Sequence, residues 1–285
     1  MSYTQDQLNQ LKADIYADIG SRFSSLVPAP TPTPTSNVYD DYPTIFDFAN
    51  DGDLSPNKKW RLGYRGYNPV DSTDRGKVGV RSNDKYPRVL YQYPYSKPNT
   101  TPKWGTAGYK TSASLAVSEE QFGDIDITTF IRTLKSLRTP VPSRWEAGWI
   151  MWRFNDAGYL ITQKGAHFHH YYFIIYVDGS VEFGRKDNTT QTEHQYFLTG
   201  AAPKVSFAYG VWNKVRIKHI GNHIQIWVDD KPVIDVVDDG TKGTPGTDKT
   251  LGAPPHPPST YLNSGRLAHY NEDAMTELAP IIFNK

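Results

Sequence analysis

The sequence predicts an all-β fold, a sandwich preceded by an amphipathic helix and a proline-rich spacer. Three observations lead there. Residues 205–237 read as consecutive short strands between tight turns, strand-period alternation recurs at 122–137 and 149–154, and Gly- and Asn-bearing turns stand between such runs.

The meander sets the frame for the other elements. Val215 and Ile217 alternate with Arg216 and Lys218, as a strand with one wet face requires. Gly221-Asn222 supplies a two-residue turn that tolerates positive φ, and Ile224, Ile226 and Val228 return on a single face. Asp229-Asp230-Lys231 turns the chain again into residues 232–237, whose leading proline sits where a ladder donor can be missing.

Trp212-x-x-Val215-Arg216-Ile217, a short Gly turn and Ile224-x-Ile226-x-Val228-Asp229-Asp230 together resemble the concanavalin A-like lectin and glucanase superfamily, laminin-G domains included. Gly265-Arg266-Leu267 and Ala279-Pro280-Ile281-Ile282-Phe283 are similar to the closing strands of its sugar-hydrolase members. The resemblance covers residues 39–285 and implies a concanavalin A-like jelly-roll sandwich; it implies function less strongly, because one fold hosts many activities.

At 285 residues, 38% hydrophobic and 13% aromatic, the chain can bury one large β core, so a single principal domain is expected over 39–285. Its 31 Lys and Arg against 30 Asp and Glu create no field for a nucleic acid or an anionic membrane, which excludes nucleic acid as a partner class. With no cysteine, neither a disulfide framework nor a thiolate metal site can form. The first residues lack the basic and apolar regions of a signal peptide, and no apolar run reaches membrane-spanning length.

Leu8, Leu11, Ile15, Ile19, Phe23 and Leu26 recur at intervals of three and four, predicting an amphipathic helix within residues 1–27. Pro28, Pro30, Pro32 and Pro34 make 28–38 a stiff extended spacer that holds this helix away from the sandwich. Its apolar stripe therefore needs another partner, either further copies in a coiled coil, giving a homo-oligomer, or a docking site on a larger assembly.

Within the domain, residues 44–48 suit a first strand and Asn50-Asp51-Gly52-Asp53 a turn. Asp51 and Asp53 could hold a calcium ion or simply close that turn; no other cofactor is expected. Tyrosines between 86 and 95 could stack on sugars or fill the core. The prolines between Asp238 and Ser259 predict an irregular loop, since they cannot feed a ladder.

Candidate binding residues follow from strand parity. Ile125, Ile127 and Ile131 share one face and put Arg132 on the other, while Ile150, Trp152 and Phe154 put Trp149, Met151 and Arg153 opposite. His167, His169 and Tyr171 share a parity on a strand apolar on both sides, which Asp178-Gly179 turns into residues 180–183. Arg132, Trp149, Arg153, His167, His169 and Tyr171 are thus the expected ligand-binding set, with arginine forks for a carboxylate or sulfate and an indole for a sugar ring. Two other chemistries use the same neighbourhood. His167 and His169 with Glu182 have the donor types of a zinc site, although two histidines without a clear third ligand argue against a metal. His169 as base, Tyr171 as acid and Arg132 or Arg153 beside a uronate would suit β-elimination, which resembles jelly-roll polysaccharide lyases in residue types only. Laminarinase-like hydrolases carry Glu-x-Asp-x-x-Glu on one strand; Asp124-Ile125-Asp126-Ile127-Thr128-Thr129 lacks the third acid.

The resulting expectation is a non-catalytic glycan or cell-surface binding protein. Its plan of anchor, spacer and lectin-like head resembles phage appendages, fibres and capsid-decoration proteins, which would place it on a virion or outside the cell. The alternatives are a jelly-roll polysaccharide-degrading lyase or glycoside hydrolase, and a purely structural virion protein.

Overall fold

The computed structural model describes residue 10 and residues 45–46, 52–53, 60–64, 77–81, 83–86, 88–94, 98–102, 107–108, 111–155, 169–187, 194–198, 204–239, 244–245 and 263–284. The expected helix over 1–27, apart from the single helical residue Gln10, lies outside them, as do the spacer over 28–38, Asp51 and His167.

The chain opens with β1 (Ile45–Phe46), β2 (Gly52–Asp53), β3 (Trp60–Tyr64), β4 (Lys77–Arg81), β5 (Val89–Tyr93) and β6 (Ala113–Phe122). Then come β7 (Ile125–Ser136), β8 (Gly148–Asn155), β9 (His169–Ile175), β10 (Val181–Asp187), β11 (His194–Phe197) and β12 (Asn213–Ile220). The last are β13 (His223–Val228), β14 (Lys231–Val237), β15 (Thr244–Pro245), β16 (Gly265–Glu272), β17 (Ala274–Leu278) and β18 (Ile281–Phe283). They form two sheets. Sheet one runs β14-β13-β12-β7-β17-β5-β4-β2, with β18 joining β7 to β1, and sheet two runs β15-β11-β10-β9-β8-β16-β6-β3. Neighbouring strands are antiparallel, as in the β7, β12 and β13 ladders of sheet one and the β8, β9 and β10 ladders of sheet two.

The meander forms as its turn chemistry dictates. Ile220 pairs with His223 around Gly221 (φ 59°), and Val228 pairs with Lys231 around Asp229 and Asp230, both at positive φ. Pro232 lies on edge strand β14, and Pro245 falls in the two-residue edge strand β15, positions that tolerate a missing donor. Between the sheets, Ile125, Ile127, Ile131, Val215, Ile217, Ile224 and Ile226 meet Ile150, Trp152, Tyr171, Phe173 and Phe183 in the main core. Trp152 stacks on Phe183 at 5.9 Å and on Tyr171 at 5.9 Å, so the core is aromatic where β8, β9 and β10 adjoin.

Two further clusters cover the outer faces. Leu115, Val117, Trp149, Met151, Phe154, Tyr172, Ile174 and Tyr176 belong to the one on sheet two. Tyr86, Val89, Phe130 and Ala279 form a smaller one on sheet one, with Trp212 and Ile282 against it.

Candidate active site

The turn at Asp178-Gly179 fixes the site. Gly179 takes φ 80°, and a Cβ there would lie 2.5 Å from the Val205 carbonyl oxygen, so the turn requires glycine. Counting outward from it, Ile174 faces Glu182 and Tyr172 faces Gly184. Tyr172 and Tyr176, two residues either side of Ile174, therefore share the outer face of sheet two with Glu182.

Tyr172 Oη donates to Glu182 Oε1 at 2.9 Å, and Tyr176 Oη donates to Oε2 of the same carboxylate. Gln195 Nε2, from β11, donates in turn to Tyr172 Oη at 2.6 Å. Gly184 makes the space: a Cβ there would stand 2.4 Å from Tyr172 Oη. Burial pushes the half-buried Glu182 carboxyl above the usual range, against the lowering effect of the two phenols and of Arg144, which lies 4.8 Å over the Tyr176 ring. Burial and then the Glu182 charge push the Tyr172 and Tyr176 phenols up, so both keep their protons at neutral pH.

The face continues across the sheet in aromatic rings. Trp149 on β8 lies 5.2 Å from Tyr172 and meets Tyr270 of β16 edge-on at 5.0 Å. Tyr270 Oη donates to Glu272 Oε1 at 2.5 Å, and Lys186 Nζ sits 5.7 Å over Trp149. A carboxylate of raised basicity between two protonated phenols, beside a row of rings, can accept a proton, return one and hold a sugar.

The residues expected to bind ligand do not share this face. Of those within the described residues, only Trp149 is on it. Arg132 is on the outer face of sheet one, where its Nε donates to Glu277 at 2.7 Å and its Nη2 to Asp84 at 3.0 Å. Arg153 was expected beside Trp149, but a bulge between Trp152 and Asn155, with Arg153 at φ 47°, breaks the alternation. Phe154 consequently joins the outer cluster, and Arg153 reaches across to the Gly221 carbonyl and Asp124, each at 3.0 Å. Tyr171 points into the core and donates to Asp238 Oδ2 at 2.8 Å, beside the ion pair of Arg185 with Asp238; none of these three side chains reaches solvent. That placement removes Tyr171 as a surface acid. His169 opens β9 opposite Asp187 and Asn155 and shares the parity of Tyr171, so Glu182 lies on the other side of the sheet from it. No group of three or more His, Cys, Asp or Glu that could hold a metal occurs among the described residues. Asp124 and Asp126 bond the Gly221 amide and Arg216 respectively, as structural acids.

Glu182, Tyr172 and Tyr176 were absent from the expected set, yet their signal was present. The Asp178-Gly179 turn fixes which residues of 172–176 meet 180–184, and a glutamate between Val181 and Phe183 on such a hairpin lands beside two tyrosines of matching parity.

Residues 99–268 match the model of the 3-keto-alpha-glucoside-1,2-lyase-like domain. No curated protein matches the sequence. Among solved structures, the chain is similar to the carbohydrate-binding module CBM66 from Bacillus subtilis, with 11% identity, 79% of this chain and 94% of that one covered, and a TM-score of 0.42. It is similar also to a prokaryotic β-1,3-1,4-glucanase (lichenase) from a mouse hindgut metagenome, with 11% identity, coverage of 85% and 97%, and a TM-score of 0.41. A Bacillus licheniformis β-glucanase gives 10% identity, coverage of 81% and 94%, and a TM-score of 0.39.

Proposed function

The chain belongs to the 3-keto-alpha-glucoside-1,2-lyase-like domain family, and from that premise we propose that it cleaves a 3-ketoglucoside by β-elimination on the face that carries Glu182. Membership corrects the expectation of a non-catalytic glycan-binding protein, because the matching family is named for breaking a glycosidic bond. The virion setting, which rested on the plan of anchor, spacer and head, gains no support from the family. The carbohydrate-degrading alternative is the better reading.

The chemistry follows from the ketone. A carbonyl at C3 acidifies the hydrogen on C2. A base removes that proton, the C2–H electron pair becomes the C1–C2 double bond, and the C1–O bond breaks with its electrons on the departing oxygen. An acid then protonates that oxygen. One glycoside gives one unsaturated keto sugar and one alcohol, with no water consumed.

The observation that carries this reading is the carboxylate of Glu182 held by the hydroxyls of Tyr172 and Tyr176. Burial makes that carboxylate a stronger base than a solvated one, as removal of a carbon-bound proton demands. The phenols supply protonated oxygens from which the leaving oxygen can take its proton. Arg144, over the Tyr176 ring, brings to the site a positive charge that can stabilise an enolate oxygen. Tyr270, half-buried and braced edge-on by the buried Trp149, offers a ring to the sugar.

The test uses a 3-keto-α-glucoside with a nitrophenyl aglycone, its unoxidised parent as control, and water labelled with oxygen-18. Nitrophenol release from the keto substrate alone, with an unsaturated sugar as first product, is expected. Glu182→Gln should lower kcat by about 100-fold or more while leaving the thermal midpoint close to that of the parent. Turnover of the unoxidised parent with labelled oxygen entering at C1, or full activity in Glu182→Gln, would reject the proposal.

A further inference from the structure

The outer face of sheet one, on the opposite side of the sandwich from Glu182, carries a second assembly. Tyr91, Glu277 and Arg132 lie in register across β5, β17 and β7, and Tyr93 and Arg81 flank them on β5 and β4. Glu277 is completely buried, which is unusual for a carboxylate on an outward-facing position, and two guanidiniums cover it. Arg81 donates to Glu277 through Nε at 2.8 Å and through Nη2; Arg132 donates through Nε at 2.7 Å.

Three rings are fastened to that ion cluster. The Arg81 guanidinium carbon lies 5.3 Å from the Tyr91 centroid and 5.2 Å from that of Tyr93, and Arg132 lies 4.5 Å from the Trp212 centroid. All three rings are half-buried, and the Arg81 side chain is 39% exposed. Glu277 thus holds two arginines, and the arginines hold the aromatics, in one preformed surface.

We propose that this surface is a non-catalytic binding site for a neutral polysaccharide chain, separate from the cleavage site. Its charge decides the ligand class. The guanidiniums of Arg81 and Arg132 are engaged by Glu277 and Asp84, so neither fork is open to a uronate or sulfate, although Lys77 opposite Tyr93 adds a cation at the edge of the surface. A neutral sugar needs apolar faces for its C–H surface and fixed donors for its hydroxyls. The rings and the Nη1 group of Arg81, which is not used on Glu277, supply both. Rings already ordered by Glu277 and the arginines lose little side-chain freedom on binding.

The inference does not depend on the elimination chemistry, and its test separates the two. Affinity electrophoresis of the full chain through gels containing soluble starch, laminarin or hydroxyethyl cellulose should show retardation by at least one of them. Tyr91→Ala with Tyr93→Ala should weaken the association at least tenfold, and Tyr93→Ala alone should weaken it measurably if the double variant does not fold. Glu182→Gln should be retarded like the parent, and 0.5 M salt should change little, on the order of twofold or less, because a neutral polysaccharide brings no charge to be screened. Absence of retardation, equal retardation of the tyrosine variants, loss of retardation in Glu182→Gln, or binding confined to polygalacturonate and abolished by salt would each overturn the assignment.

Discussion

Tyr172 Oη lies 2.9 Å from the Glu182 carboxylate, joining neighbouring strands across the β9–β10 ladder. That single bond couples the protonation of the proposed base to a residue buried within the sheet. It also makes the pH dependence of the reaction a direct readout of the site.

Replacing Tyr172 by Phe removes a donor that stabilises ionised Glu182 while leaving burial to oppose ionisation. The carboxyl should titrate higher still, and the acidic limb of kcat/KM should move upward by about one pH unit, the scale of a hydrogen bond to a charged group. The linkage has a definite sign. Because folding raises the Glu182 pKa above its unfolded value near 4.5, its contribution is favourable below that pH and is lost as pH rises through the folded value. Chemical denaturation of the parent and Glu182→Gln at a series of pH values should therefore show Glu182→Gln gaining relative stability with pH. An acidic limb that stays in place or moves down would contradict the assignment of Glu182 as base.

Gly184→Ala tests the space beside Tyr172. A Cβ 2.4 Å from the hydroxyl must displace the phenol, and the neighbouring Tyr196 carbonyl at 2.6 Å blocks escape by the backbone. Stability should fall by about 1 to 3 kcal/mol, as overpacking does, and the acidic limb should shift in the same direction as in Tyr172→Phe. Unchanged stability and an unchanged pH profile would show that the phenol does not need its present position.

Asp238→Ala tests the reassignment of Tyr171 from surface acid to core scaffold. The change leaves the Arg185 guanidinium buried without its carboxylate and takes the acceptor from Tyr171. A loss of about 3 to 5 kcal/mol in urea denaturation is expected, with kcat per folded molecule preserved. A stable variant with reduced kcat would return Tyr171 to the chemistry.

Sequence legibility followed local backbone rules. The meander over 213–237 was legible because Gly221-Asn222 and Asp229-Asp230 fix both turns and the alternating apolar residues fix the register. Arg153 defeated the same logic. Its left-handed φ is the kind normally signalled by glycine, and what accompanies it is the close approach of Gly265, where a Cβ would lie 2.4 Å from the Arg153 carbonyl carbon. That approach joins residues more than a hundred positions apart, beyond the reach of any periodicity. Arg132 illustrates a different limit: parity put it on an outer face correctly, but parity within one strand cannot say which of two sheets that strand joins. Glu182 and Tyr172 lay within reach, since the turn between them sets their pairing.

The partners in the proposed active site are close along the chain as well as in space: Tyr176 and Glu182 are 6 residues apart and Tyr172 and Glu182 are 10 apart. Most of the sandwich must close loops many times longer, as the 145-residue separation of Arg132 from Glu277 illustrates. Loop closure is entropically cheaper for the shorter span. The chemical geometry therefore comes with the hairpin itself and can form on the microsecond scale of an isolated hairpin, before distant strands find their partners. It also follows that insertions elsewhere in the sandwich can lengthen or remodel its loops without changing the spacing of base and phenols, leaving substrate preference free to vary around a fixed proton-transfer unit.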